Sequence, residues 1–166
     1  MGEPEPMTPL ASLEREAVME SWEEIQTFVA DHGEQLLGSG PALYKLRLAT
    51  EELLSNVIRH APVGHSAVQA EAHPTVHLSL TFLRGELQGK PALVLQLQDN
   101  GPAFDPQLEQ ERRIDTSQPI EDRPIGGLGL FLVQQSVDHV EYAWLNQRNS
   151  YRLFMLLPES DQLAST

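Results

Sequence analysis

Between residues 75 and 99 the chain alternates twice, and this pattern limits its possible folds more than any other. Val76, Leu78, Leu80 and Phe82 interleave with Thr75, His77, Ser79 and Thr81. Leu93, Leu95 and Leu97 interleave with Val94, Gln96 and Gln98. A period of two belongs to a strand, whose successive side chains leave opposite faces. The two runs, joined by a polar turn from Arg84 to Lys90, read as an antiparallel pair with one covered face. Asp99 continues the phase of the three leucines, so it points to the core side at the strand end. A buried carboxylate needs hydrogen-bonding partners, because an unpaired buried charge is costly. The chain then turns sharply through Asn100-Gly101-Pro102. The same residues also fit an aspartate that only caps its turn.

Helices must supply the cover. Ser21-Trp22-Glu23-Glu24 has the form of a capping box. Trp22, Ile25, Phe28, Val29, His32 and Leu36 then mark an amphipathic helix. Gly38-Ser39-Gly40-Pro41 ends it and starts a second, with Pro41 in the first turn, running to about His60. This second helix carries Leu46, Ala49, Leu53 and Val57 as an apolar stripe. Glu52 and Asn56 lie four apart, on one face and one turn from each other. A carboxylate able to take a proton and an amide oxygen able to hold a metal thus sit beside a buried stripe. That pairing suits activation of a hydroxyl next to a metal-bound phosphate. Glu51 is the other candidate base, but the four-residue offset to Asn56 selects Glu52. The ordinary alternative is a solvated helix face.

Glycines precede a further apolar run in Ile125-Gly126-Gly127-Leu128-Gly129-Leu130. Free N–H groups at a helix start, without Cβ atoms in the way, make an anion site. No Gly-Lys-Ser/Thr follows, so this is not a P-loop, and no strand with the dinucleotide fingerprint precedes it. A plain loop-to-helix turn is the alternative. The helix is expected over Leu128 to Asp138. A closing hairpin follows, with strands Val140 to Leu145 and Tyr151 to Leu157 about a turn from Asn146 to Ser150. Residues 105 to 125 are polar, aperiodic and proline-containing. A stretch of that length inside a compact domain usually has a task, here that of a lid. The order of elements predicts a two-layer α+β sandwich with helices on one sheet face.

At 166 residues, the chain can form one domain that buries roughly 70% of its unfolded surface. The expected bounds are a disordered tail over 1–9, the domain over 10–158 and a second tail over 159–166. Absence of cysteine removes disulfides and thiolate zinc sites. No apolar run reaches the length of about 18 residues that a membrane helix needs. The acidic, proline-rich start is no signal peptide, which points to the cytoplasm. Eleven basic against 24 acidic residues give a net charge of −13. Such a surface repels nucleic acid and anionic membranes. Phosphates bound by this chain must lean on backbone amides, a metal and arginine, because Lys45 and Lys90 are its only lysines.

Glu52…Asn56, Asp99-x-Gly101 and Gly127-x-Gly129, in this order and spacing, resemble the N box and two glycine boxes of the Bergerat-fold (GHKL) ATP-binding superfamily. Within it, the short chain, Phe104-Asp105-Pro106 and Arg123-Pro124-Ile125-Gly126-Gly127-Leu128-Gly129-Leu130 look most like bacterial anti-sigma-factor serine/threonine kinases. The resemblance covers roughly residues 12 to 158. It implies a mixed, mostly antiparallel sheet, with part of Leu10 to Met19 as its first edge strand. It implies ATP and Mg²⁺ as cofactors. Glu52 would be the general base and Asn56 the magnesium ligand. Asp99 would accept the adenine amine, with Gly101 passing close to the base and Gly127 and Gly129 approaching the phosphates. Arg59 falls where related kinases carry a phosphate-contacting lysine, though it also reads as a solvent-exposed helix arginine. One of Arg112, Arg113 and Arg123 in the lid could reach the γ-phosphate, against a solvated salt bridge for each.

The partners implied are a sigma factor and a small antagonist with a phosphorylatable serine, and the family suggests a homodimer. A non-catalytic regulator that keeps the fold for docking is the competing class. A histidine kinase's catalytic domain standing alone is weakened by the missing phosphoacceptor hairpin. Ser150-Tyr151 departs from the Gly-Thr that histidine kinases show there. His60 reads as a helix-terminal cation or a packed residue, and His32, His65, His73, His77 and His139 as packing or surface residues.

Overall fold

The computed structural model describes residues 7–60, 76–103 and 127–158. The expected lid at 105–125, with Arg112, Arg113 and Arg123, lies outside these residues. So do the loop at 62–74, His65 and His73, and the C-terminal tail.

Five strands form one sheet: β1 (Thr8–Glu16), β2 (His77–Leu87), β3 (Lys90–Asp99), β4 (His139–Leu145) and β5 (Arg148–Leu156). Their order is β1-β2-β3-β5-β4, and all four pairings are antiparallel. The parallel component of a mixed sheet is therefore absent among the described strands. β1 is the expected edge strand. It begins at Thr8, two residues before the expected domain boundary, with a register shift between Pro9 and Ala11. Proline donates no ladder hydrogen bond, so it belongs on such an edge.

Register follows the alternation. Leu78, Leu80 and Phe82 face Asp99, Leu97 and Leu95 across the β2–β3 pair. Leu95, Leu97 and Asp99 in turn face Leu153, Tyr151 and Asn149 on β5. These rows lie on the face covered by helices α1 (Trp22–Leu37), α2 (Pro41–His60) and α3 (Gly127–Ser136). α2 packs against both other helices. One core joins Ile25, Val29, Leu46, Leu53 and Val57 to Leu80, Phe82, Leu95, Leu97 and Val133. Phe82 is 1% exposed, and its ring lies 5.5 Å from that of Phe28. Phe82→Ala is expected to lower unfolding free energy by about 3–5 kcal/mol in a urea titration, through lost burial and the cavity left behind. The opposite face holds a smaller cluster of Leu83, Ala92, Val94 and Phe154 at one end.

Several boundaries differ from expectation; α3, expected over Leu128 to Asp138, spans Gly127–Ser136. The β2–β3 turn is only Gln88-Gly89, with φ of 52° and 78°, so the strands run longer than the polar composition suggests. The last hairpin turns on Asn146-Gln147 alone, with φ of 52° and 62°, which leaves Asn149 and Ser150 inside β5. Two positive φ values in a two-residue loop match the twist of the strands they join. The capping box does not form. A 3₁₀ turn over Met19–Ser21 draws Ser21 into helical geometry, with no side-chain cap bond. Glu24 instead pairs with Arg15 at 2.6 Å. Gly38 ends α1 at φ 76°, its N–H donating to the Glu34 carbonyl at 2.8 Å. Positive φ at a helix end is cheap for glycine.

Candidate functional site

α2 sets its chemistry beside its packing stripe. Leu53 and Val57 are core residues, and Asn56 between them is 4% exposed. The Asn56 Nδ2 is buried without a hydrogen-bond partner among the described residues. An orphaned amide costs stability unless something else satisfies it. The two ends of an amide exchange by a half-turn of the group, so this position can offer oxygen to a cation. Glu52, one turn earlier, is half-buried and forms no ion pair among the described residues. No three His, Cys, Asp or Glu side chains among the described residues cluster to hold a metal. A magnesium ion here would keep water and ligand oxygens as its other partners, as that ion usually does.

Asp99 ends β3 on the helix-covered face, 4% exposed, where its phase places it. Its Oδ1 accepts the Gly101 N–H at 2.9 Å and the Asn149 Nδ2 at 3.0 Å. Its Oδ2 takes no hydrogen bond among the described residues. Burial pushes its carboxyl above the usual carboxylate range, and the bonds from Asn149 and Gly101 pull only part of the way back. Asn100 closes the strand end by accepting the His77 N–H at 2.7 Å.

Gly101 packs closely against the carboxylate. A Cβ there would stand 3.0 Å from Asp99 Oδ1 and 3.6 Å from Val76. Gly101→Ala is expected to push the carboxylate from its place and weaken ligand binding at Asp99 about tenfold. A calorimetric titration of the variant checks this, and unchanged affinity would free Gly101 of the role.

Gly127 and Gly129 lie in the first turn of α3, whose opening N–H groups have no partners within the helix. α3 packs on α2, so this glycine-bearing turn belongs to the same helix layer as Asn56. Arg59 is exposed and donates to Ser55 Oγ at 3.1 Å, which lays it along its own helix. His60 is the last residue of α2. His32 packs its ring against Phe28 and Phe82, and His139 against Phe154, as packing residues do.

Sequence reasoning missed Asn149 and Tyr142. Asn149 is 2% exposed; Tyr142 donates its hydroxyl to Asn149 Oδ1 at 2.6 Å. A signal was available. Asn149 shares the phase of Tyr151 and Leu153, so it is a polar residue in core phase, as Asp99 is.

The site therefore offers a buried acceptor at a strand end, an amide on α2 unsatisfied among the described residues with a carboxylate one turn away, and the glycine-bearing first turn of α3. The family model of the histidine kinase-like ATPase domain matches residues 16–153, most of the chain. No curated protein matches the chain significantly.

Proposed function

The chain belongs to the histidine kinase-like ATPase domain family, and we propose that it is an ATP-dependent serine/threonine protein kinase of the anti-sigma-factor type. It phosphorylates a small antagonist protein and binds a sigma factor as its alternative partner. The observation that carries the nucleotide reading is Asp99, a buried carboxylate with one oxygen tied down and the other without a hydrogen bond among the described residues. The adenine amine donates to that second oxygen. Gly101 keeps the backbone turn tight beside the base. The glycine-bearing start of α3 turns its amides to the phosphates. Asn56 would hold magnesium through its amide oxygen, and the metal, when bound, neutralises phosphate charge.

Glu52 takes the proton of the attacking hydroxyl. That hydroxyl oxygen bonds to the γ-phosphorus while the bond from γ-phosphorus to the bridging oxygen breaks, leaving ADP. Catalysis of this kind rests mostly on positioning and charge neutralisation. A chain with net charge −13 selects protein partners over polyanions. No helix among the described residues is long and apolar enough to cross a membrane.

The test is incubation with γ-labelled ATP and a candidate antagonist, followed by mapping of the label. Label on a serine or threonine of the antagonist is the expected result. Acid-labile label on a histidine of this chain would overturn it. A partner that binds and is never labelled would favour the non-catalytic regulator.

A further inference from the structure

Asp99 is held by more than its own turn, because two further strands reach it. Asn149 on β5 lies opposite Asp99 in the register. Its Nδ2 donates both to Asp99 Oδ1 at 3.0 Å and to the Pro102 carbonyl at 2.8 Å. One amide thus ties together the carboxylate and the turn that follows it. Tyr142 on β4 closes the other end through its 2.6 Å bond to Asn149 Oδ1. The Tyr142 ring is itself fixed against Tyr151, with centroids 5.1 Å apart.

An amide has one accepting end and one donating end. Tyr142 fills the accepting end, so the donating end turns to the two oxygens. The reverse orientation would set Oδ1 against the Asp99 carboxylate and the Pro102 carbonyl, acceptor against acceptor. The series from β4 hydroxyl to β5 amide to β3 carboxylate therefore has a single polarity.

We infer that Asn149, oriented by Tyr142, is a positioning residue that gives this site its preference for an amine-bearing purine over one carrying a carbonyl at the same position. The inference rests on the nucleotide reading above. Asn149 keeps Oδ1 engaged and fixes the carboxylate plane, which leaves Oδ2 to meet the base. An amine donates to Oδ2. The carbonyl of hypoxanthine in the same place opposes it, acceptor to acceptor. A site built around a buried hydrogen bond rejects the analogue that cannot complete it. Without Asn149 the carboxyl is free to rotate or to carry a proton, and a protonated carboxyl can donate to a carbonyl. Discrimination then fades even where the pocket survives.

Calorimetric titration of Mg·ADP and Mg·IDP into wild type, Tyr142→Phe, Asn149→Leu and Asp99→Asn tests this. Wild type is expected to favour ADP by about 10²-fold, the scale of one hydrogen bond to a charged group. Tyr142→Phe should cut that ratio several-fold, and Asn149→Leu should bring it close to one, through weaker ADP binding with IDP unchanged or tighter. A merely structural role predicts parallel loss of both ligands, and that result would overturn the inference. So would a wild-type ratio in both variants. If Asn149→Leu does not fold, Tyr142→Phe, which deletes one oxygen, carries the test alone. Wild type that binds both nucleotides equally would sink the inference and leave the nucleotide reading standing. Wild type that binds neither would remove both.

Discussion

Asp99→Asn is expected to lower affinity for Mg·ADP by about 10²-fold or more while making the unliganded protein more stable. The first effect follows from the second carboxylate oxygen. Asparagine keeps an acceptor for Gly101 and Asn149 but sets an NH₂ where the adenine amine must donate. Losing a hydrogen bond to a charged group and opposing two donors is worth about two powers of ten. The second effect follows from burial, which raises the carboxyl's pKa in the folded protein. Folded protein therefore holds that proton more tightly than unfolded protein does. The stability this group contributes is fully present below the unfolded carboxylate range and is lost as pH rises through the folded value. Asparagine imitates the protonated form at every pH. The difference in thermal midpoint between variant and wild type should be small in acid and open as pH rises toward neutrality. Calorimetric titration with ADP and a melting series in pH read the two effects separately. Equal nucleotide affinity in variant and wild type would remove Asp99 from the site.

Glu52→Gln is expected to slow phosphoryl transfer by about 10²–10⁴-fold, the usual contribution of one placed base. Affinity for Mg·ADP should stay within a few-fold, because the carboxylate meets the attacking hydroxyl rather than the nucleotide. Single-turnover transfer of labelled phosphate to the antagonist measures the first, and calorimetry the second. Transfer at the wild-type rate would show that Glu52 is not the base.

What the sequence discloses follows from the range of its signals. Alternation over Leu93 to Gln98 is local, so a window of seven residues is enough to show the core-facing phase of Asp99. The four-residue offset of Glu52 and Asn56 is local in the same way. Sheet order is not local, and nothing in the chain announces that β5 inserts between β3 and β4. The length of the last turn is hidden because Asn146-Gln147-Arg148-Asn149-Ser150 is polar throughout. Composition cannot distinguish a loop from a strand end whose polar residues have buried partners. The partner of Asn149 stands 50 residues away. Ser21 fails as a cap for a related reason, since the preceding 3₁₀ turn claims its backbone. The lid arginines depend on residues 105–125, beyond the described structure.

The two-residue turn at Asn146-Gln147 acts as a caliper. Counting outward from it, Leu145 meets Arg148 and Trp144 meets Asn149. Hairpin tips usually tolerate an added residue at little thermodynamic cost. Here an extra residue between the tip and Asn149 would turn every following β5 side chain to the opposite face. Asn149 would then leave Asp99, while backbone pairing could re-form one step along. Substitutions at the tip that accept positive φ leave this register in place, whereas insertions and deletions do not. The register that sets Asn149 against Asp99 is thus the register that keeps Tyr151, Leu153 and Met155 in the core, so a miscount at the tip would cost the carboxylate its partner and the sheet its stability together.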